Sequence, residues 1–224
     1  MKSFFGKQDV KDNVLARINA HNAADELVRG ETWDGKRGRA IGCSLNAYDH
    51  KAFESELGLP EWLAILEDTL FENMSVEKSK TWPRDVIEAI KPGAKIEKVK
   101  WQFCAFILNE NIDRALSLKI SDELKDQVVK AIRQVLSVHN NAIETGNWDA
   151  SAARSAAKSA WSAAWSAESA AWSAESGARS AAWSAESAAW SAARSAAWSA
   201  AKSARSATVD CYADKLLELL REAK

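Results

Sequence analysis

Residues 151–206 read SAARSAAKSAWSAAWSAESAAWSAESGARSAAWSAESAAWSAARSAAWSAAKSARS. Serine falls at 151, 155, 159, 162, 166, 169, 173, 176, 180, 184, 187, 191, 195, 199, 203 and 206. Those fifteen steps cover 55 residues, or 3.67 residues per step, which is three helical turns per 11 residues. The drift from the 3.6 of a straight helix is small and has the sense of a right-handed supercoil. Alanine has the best helix propensity of all residues, so this stretch is expected to be helical with little tertiary help.

The residue before each serine is the large one. In order these are Arg154, Lys158, Trp161, Trp165, Glu168, Trp172, Glu175, Arg179, Trp183, Glu186, Trp190, Arg194, Trp198, Lys202 and Arg205. On a helix of this period they form one ridge, with serine beside it and alanine over the remaining surface. Gly177 is the one interruption, and the serines keep phase across it, so a continuous helix is expected there. Ser-Gly is also a turn signal, which leaves a bend at Gly177 as the alternative. A continuous helix would run about 90 Å at about 1.5 Å per residue. The preceding domain should be about 40 Å across. Six tryptophans on an overhanging helix would expose about 1,000 Å², more than monomers usually leave bare. Two covers are open: the protein's own helices, or a second copy or protein partner. In the second case Trp161, Trp165, Trp172, Trp183, Trp190 and Trp198, with Arg179 and Arg194, form the binding surface, through Trp–Trp and cation–π contacts.

Upstream, helical periodicity predicts a first helix over Asp9–Gly30, capped by Asp9 and ended by Gly30. Residues 31–46 lose the periodicity and read as an ordered, glycine-rich polar loop. Further helices are expected over 49–57, 60–73 with Pro60 in the first turn, 83–90, 94–116 and 122–144. Downstream, Val209, Tyr212, Ala213, Leu216, Leu217, Leu219 and Leu220 form an ordinary amphipathic stripe that returns to a core. The fold class is therefore all-α: a compact helical domain over 1–147, a repeat helix over 148–208 and a C-terminal amphipathic helix over 209–224. The repeat reads as an expansion between two core-forming stretches.

Chemistry has few places to hide. His21 and Asp25 lie four apart, on one face of the expected first helix. Were the loop to fold over that helix, His21, Cys43 and His50 could form a thiol-based site or three ligands of a zinc site. No CxxC or HExxH supports a metal, and the bland reading is a buried free cysteine with locally bonded histidines. Trp33, Lys36, Arg37 and Arg39 make a basic loop able to meet a phosphate, but GKRGR lacks the P-loop spacing, and a solvated loop is the plainer reading. Cys104 and Cys211 sit among apolar residues and read as core.

Composition limits the classes further. With 30 Lys and Arg against 31 Asp and Glu, no global field favours nucleic acid or an anionic membrane. Three widely spaced cysteines suggest free thiols and a cytoplasmic location. No apolar run reaches the roughly 20 residues of a membrane span, and no cofactor or metal is expected.

The residues Ala20-His21, Trp33, Gly42-Cys43, Tyr48-Asp49-His50 and Leu59-Pro60-Glu61-Trp62-Leu63, the SAAWSAA-type units and the YADKLLELL end together resemble a family of bacterial and phage proteins. That family has a helical N-terminal domain and Ala-Ser-Trp repeats of differing length. The resemblance implies the two-part architecture and a phage or mobile-element context, and it brings no activity. The 11-residue alanine-rich period also resembles single-helix fish antifreeze proteins, with serine here where those carry threonine, which implies ice or surface binding by the Ala/Ser face. The leading expectation is a structural or interaction protein. Its alternative is a ligand- or metal-dependent activity around His21, Cys43 and His50.

Overall fold

A computed structural model of the chain describes residues 2–31, 33–156 and 189–224, with backbone alone for 189–204. The described residues are helical or irregular and contain no strand. Leu27 and Gly38 form an isolated parallel bridge. The all-α reading holds for them. Trp161, Trp165, Trp172, Gly177, Arg179 and Trp183 lie outside the described residues, as do the side chains of Trp190, Arg194 and Trp198.

The chain divides into two compact units, one of Met1–Lys100 with Ala201–Lys224, the other of Trp101–Ala200. The first is discontinuous in sequence. It holds α1 (Gln8–Ala23), α2 (Ala40–Leu45), α3 (Ala52–Leu57), α4 (Glu61–Asn73), α5 (Val76–Ser79) and α6 (Trp82–Ala89). The start of α7 (Val99–Ser117) and the last turns of α10 (Ala189–Glu222) complete it. Its core is fully buried at Val14, Ile41, Phe53, Leu63, Phe71, Trp82, Ile87, Leu216 and Leu220. Each such side chain contributes about 1.5–3 kcal/mol by leaving water.

Both ends of the chain are tied to one loop of this unit. Ser3 donates its N–H to the carbonyl of Ala94 (3.2 Å) and accepts from Gly93 (2.8 Å), while Lys95 donates to the carbonyl of Lys224 (2.9 Å). Phe4 and Phe5 adopt left-handed backbone, with φ of 51° and 54°. That costs roughly 1–2 kcal/mol per residue, and the complete burial of Phe4 offsets it.

The first helix corrects the sequence reading. It ends at Ala23, not Gly30. Asp25 takes the left-handed conformation (φ 56°), Glu26 N–H bonds the carbonyl of His21 (3.0 Å), and Asp25 N–H bonds that of Asn22 (3.2 Å). This is a Schellman closure with aspartate where glycine is usual. The chain then runs extended, and Val28 and Gly38 exchange bonds with Gly38 and Glu26 (2.9 and 3.0 Å). The loop expected over 31–46 also holds a helix, α2, whose six residues are all buried. A helix buried on every side shows no polar face, so its periodicity is invisible.

The second unit holds most of α7, all of α8 (Asp122–Thr145), a helical stretch at 150–156 (α9) and the first turns of α10. Ser121 caps α8 by accepting from Leu124 N–H (3.4 Å), and Gly146 (φ 75°) ends it. Ile112 and Ala115 of α7 pack against Val129 of α8, with Val128, Ile132 and Leu136 around them. Asp149 opens α9 by accepting from the N–H groups of Ser151 and Ala152, both 2.9 Å.

Candidate functional site

The loop between α1 and α2 is fastened by two aromatic contacts. Trp33 meets the His21 ring edge-on, with centroids 5.3 Å apart, and packs closely against Gly42 of α2. A Cβ at Gly42 would fall 2.9 Å from Trp33 Cε3, so a side chain there would displace the indole. His21 is engaged at both ring nitrogens, Nδ1 with Glu26 (2.7 Å) and Nε2 with Asn46 (2.8 Å). The expected placing of His21 and Asp25 on one helix face is corrected: Asp25 lies beyond the helix end, and Glu26 is the carboxylate that meets His21. The hydrogen bond from His21 holds the Glu26 carboxyl below its usual range.

Cys43 is buried in α2. Its thiol points to the carbonyls of Gly38 (3.6 Å) and Glu26 (3.8 Å), and burial raises it to about 11. A thiol so raised is a poor nucleophile at neutral pH. His50 lies elsewhere, against Tyr48 (ring centroids 5.0 Å) and 3.7 Å from Asp68, too far for a hydrogen bond. His21 and Cys43 both reach Glu26, while His50 stands by Tyr48 and Asp68. No group of three His, Cys, Asp or Glu side chains among the described residues could hold a metal ion. Cys211, expected in the core, is exposed on α10, and Cys104 is half-buried.

The basic loop finds its anions within the protein. Lys36 pairs with Glu26 (3.4 Å) and Arg37 with Glu31 and Asp34 (3.5 and 3.3 Å). Arg39 reaches Asp68 (3.3 Å) and Glu72 (3.0 Å) and lies over the Tyr48 ring. Each of the three basic side chains thus has a carboxylate partner within the protein.

Sequence reasoning passed over the acids of α4. Asp68 is nearly buried and accepts from Tyr48 Oη at 2.9 Å. Burial, and then that bond, push the Tyr48 phenol up. Glu72 accepts from Gly30 N–H through both oxygens, at 3.1 and 3.0 Å. Glu67 has no exposed surface. One signal was available: Glu67 stands four residues after Leu63 and four before Phe71, inside the buried stripe of α4.

The C-terminal end of α4 meets the base of α10. Arg29 donates to the carbonyls of Met74 (2.8 Å) and Ser75 (2.6 Å). Asp210 accepts from Ser75 N–H (2.9 Å), Arg205 donates to Asn73 (3.0 Å), and Lys78 bonds the Asp210 carbonyl (3.0 Å) and the Asp214 carboxylate. Comparison with protein-family models, curated proteins and solved structures finds no match to this chain. No described helix is long and apolar enough to cross a membrane.

Proposed function

We propose that this is a structural or interaction protein, in which the Ser151–Ser206 repeat associates with a second copy of the chain through its tryptophan and charge ridge. The observation that carries this reading is the continuity of α10. Residues 189–206 of the repeat and the stripe that buries Leu216 and Leu220 belong to one helix, Ala189–Glu222. Its lower turns are clamped by Asp210, Arg205 and Lys78, so the repeat leaves a fixed base. A ridge held at its base loses less orientational freedom on pairing than one on a loose tether, which favours association.

Light scattering after size exclusion tests this. The full chain is expected to be oligomeric. A chain lacking Ser151 to Ser206, and the triple variant Trp172→Ala, Trp183→Ala, Trp190→Ala, are expected to be monomeric. A monomeric full chain ends the self-association reading and leaves a different protein partner as the occupant of the ridge.

A further inference from the structure

Glu67 sits in the middle of α4 with no exposed surface, and neither carboxylate oxygen has a hydrogen-bond partner. The buried Oδ1 of Asp68, next in the chain, is also without one. Buried polar atoms in folded proteins are almost always satisfied, and an ionised carboxylate left bare in a core is among the costliest arrangements known. Three acceptor oxygens on adjacent residues call for something that donates.

Three occupants could supply it. A metal ion needs a set of ligands, and none gathers among the described residues. A cationic side chain is the second, but Arg39 already spans Asp68 and Glu72. A proton needs neither ligands nor room. Once protonated, Glu67 has no charge to bury and carries a donor of its own.

His50, whose buried Nε2 stands 3.7 Å from Asp68 and bonds nothing, is the other group here that can carry a positive charge. On its own helix Glu67 is next to Asp68, and α2 presents Cys43. From α6, the Trp82 indole donates to the main-chain carbonyl of Glu67 (3.1 Å), while Arg84 bonds Glu88 and Asp85 bonds Thr81. From α3, Glu54 bonds the N–H of Glu61 and Glu56 pairs with Arg17.

We propose that Glu67 is a proton-binding site, a neutral acid in the folded protein at neutral pH, and that loss of its proton loosens α2 and residues 33–39, which lie on this side of α4. The proposal is independent of the repeat. Burial first, and Asp68 second, both act to raise the Glu67 carboxyl. An ionised Glu67 must draw water, and α2, six buried residues held by Trp33 at Gly42, packs on α4 with Cys43 near enough to feel the Glu67 charge.

The full chain and its Glu67→Gln variant, which keeps the shape and cannot ionise, test this by infrared spectroscopy and by hydrogen exchange read by mass spectrometry. At neutral pH the wild type is expected to show the carbonyl stretch of a protonated carboxyl, missing from E67Q. As pH rises above the range in which an exposed carboxyl ionises, protection over residues 33–45 is expected to fall by about tenfold per pH unit beyond the intrinsic rise in exchange, until Glu67 itself ionises. In E67Q that excess should vanish, and α8 should show none in either protein. An ionised carboxylate at neutral pH, or the same excess in E67Q, overturns the proposal. If E67Q does not fold, the wild type decides: a band that persists while the excess loss of protection runs, and fades where that loss levels off, supports it, and no band ends it.

Discussion

Gly42 shows how one missing methyl group fixes a loop. Trp33 rests on the bare backbone of α2, so Gly42→Ala must push the indole away from a Cβ only 2.9 Å off. The expected loss of stability is about 1–3 kcal/mol, measured by denaturant unfolding. The double variant with Trp33→Leu should recover part of it, since the clash is with the indole. Cys43, one residue on, carries a pH signature. Its thiol rises from 9.0 to about 11 on folding, so the folded state holds the proton more tightly than the unfolded chain. Its contribution to stability is whole below about pH 9 and is lost as pH rises toward about 11. Cys43→Ser, whose hydroxyl does not titrate there, should flatten that part of a stability–pH curve. In the native protein Cys43 should alkylate far more slowly than Cys211, which is exposed. Equal rates for the two thiols would contradict the burial of Cys43.

At the scale of the element, punctuation residues told the truth where their signals were local. Pro60, Pro83 and Ser121 placed the starts of α4, α6 and α8 within a residue or so. The end of α1 was hidden because the left-handed position is filled by Asp25, an uncommon choice, while Gly30 seven residues beyond offered the usual one. α2 was hidden by its own burial. The site was legible in part: Trp33, His21, Arg39 and Cys43 drew attention by type and do cluster about one loop. Glu67, Asp68 and Glu72 were passed over because acids on a helix normally face water, and tertiary packing overrode that preference. Two substitutions probe these elements. Asp25→Gly removes the cost of a left-handed Asp and should raise stability by about 0.5–1 kcal/mol, read as a higher denaturation midpoint. Asp210→Ala leaves Ser75 N–H without its acceptor and should cost about 1–3 kcal/mol, visible as a lower midpoint. A neutral result would mean that the clamp at the base of α10 is ornamental to stability.

For the whole molecule, the first unit depends on residues distant in sequence. Removing residues 209–224 uncovers Leu216, Leu217, Leu219 and Leu220 and the partners they cover. At about 1.5–3 kcal/mol each, four leucines match the 5–15 kcal/mol that typically holds a domain together. Truncation after residue 208 should therefore unfold Met1–Lys100, seen as lost helical circular dichroism. The same dependence sets a timetable for synthesis. A ribosome that has made the first hundred residues has not yet made the leucines that close their core. At roughly 5–20 residues per second, the wait is on the order of ten seconds, with the core of that unit unsealed throughout. The nascent chain is thus a natural client for chaperones that shield apolar surface. Every added period of the repeat lengthens the interval in which it needs them.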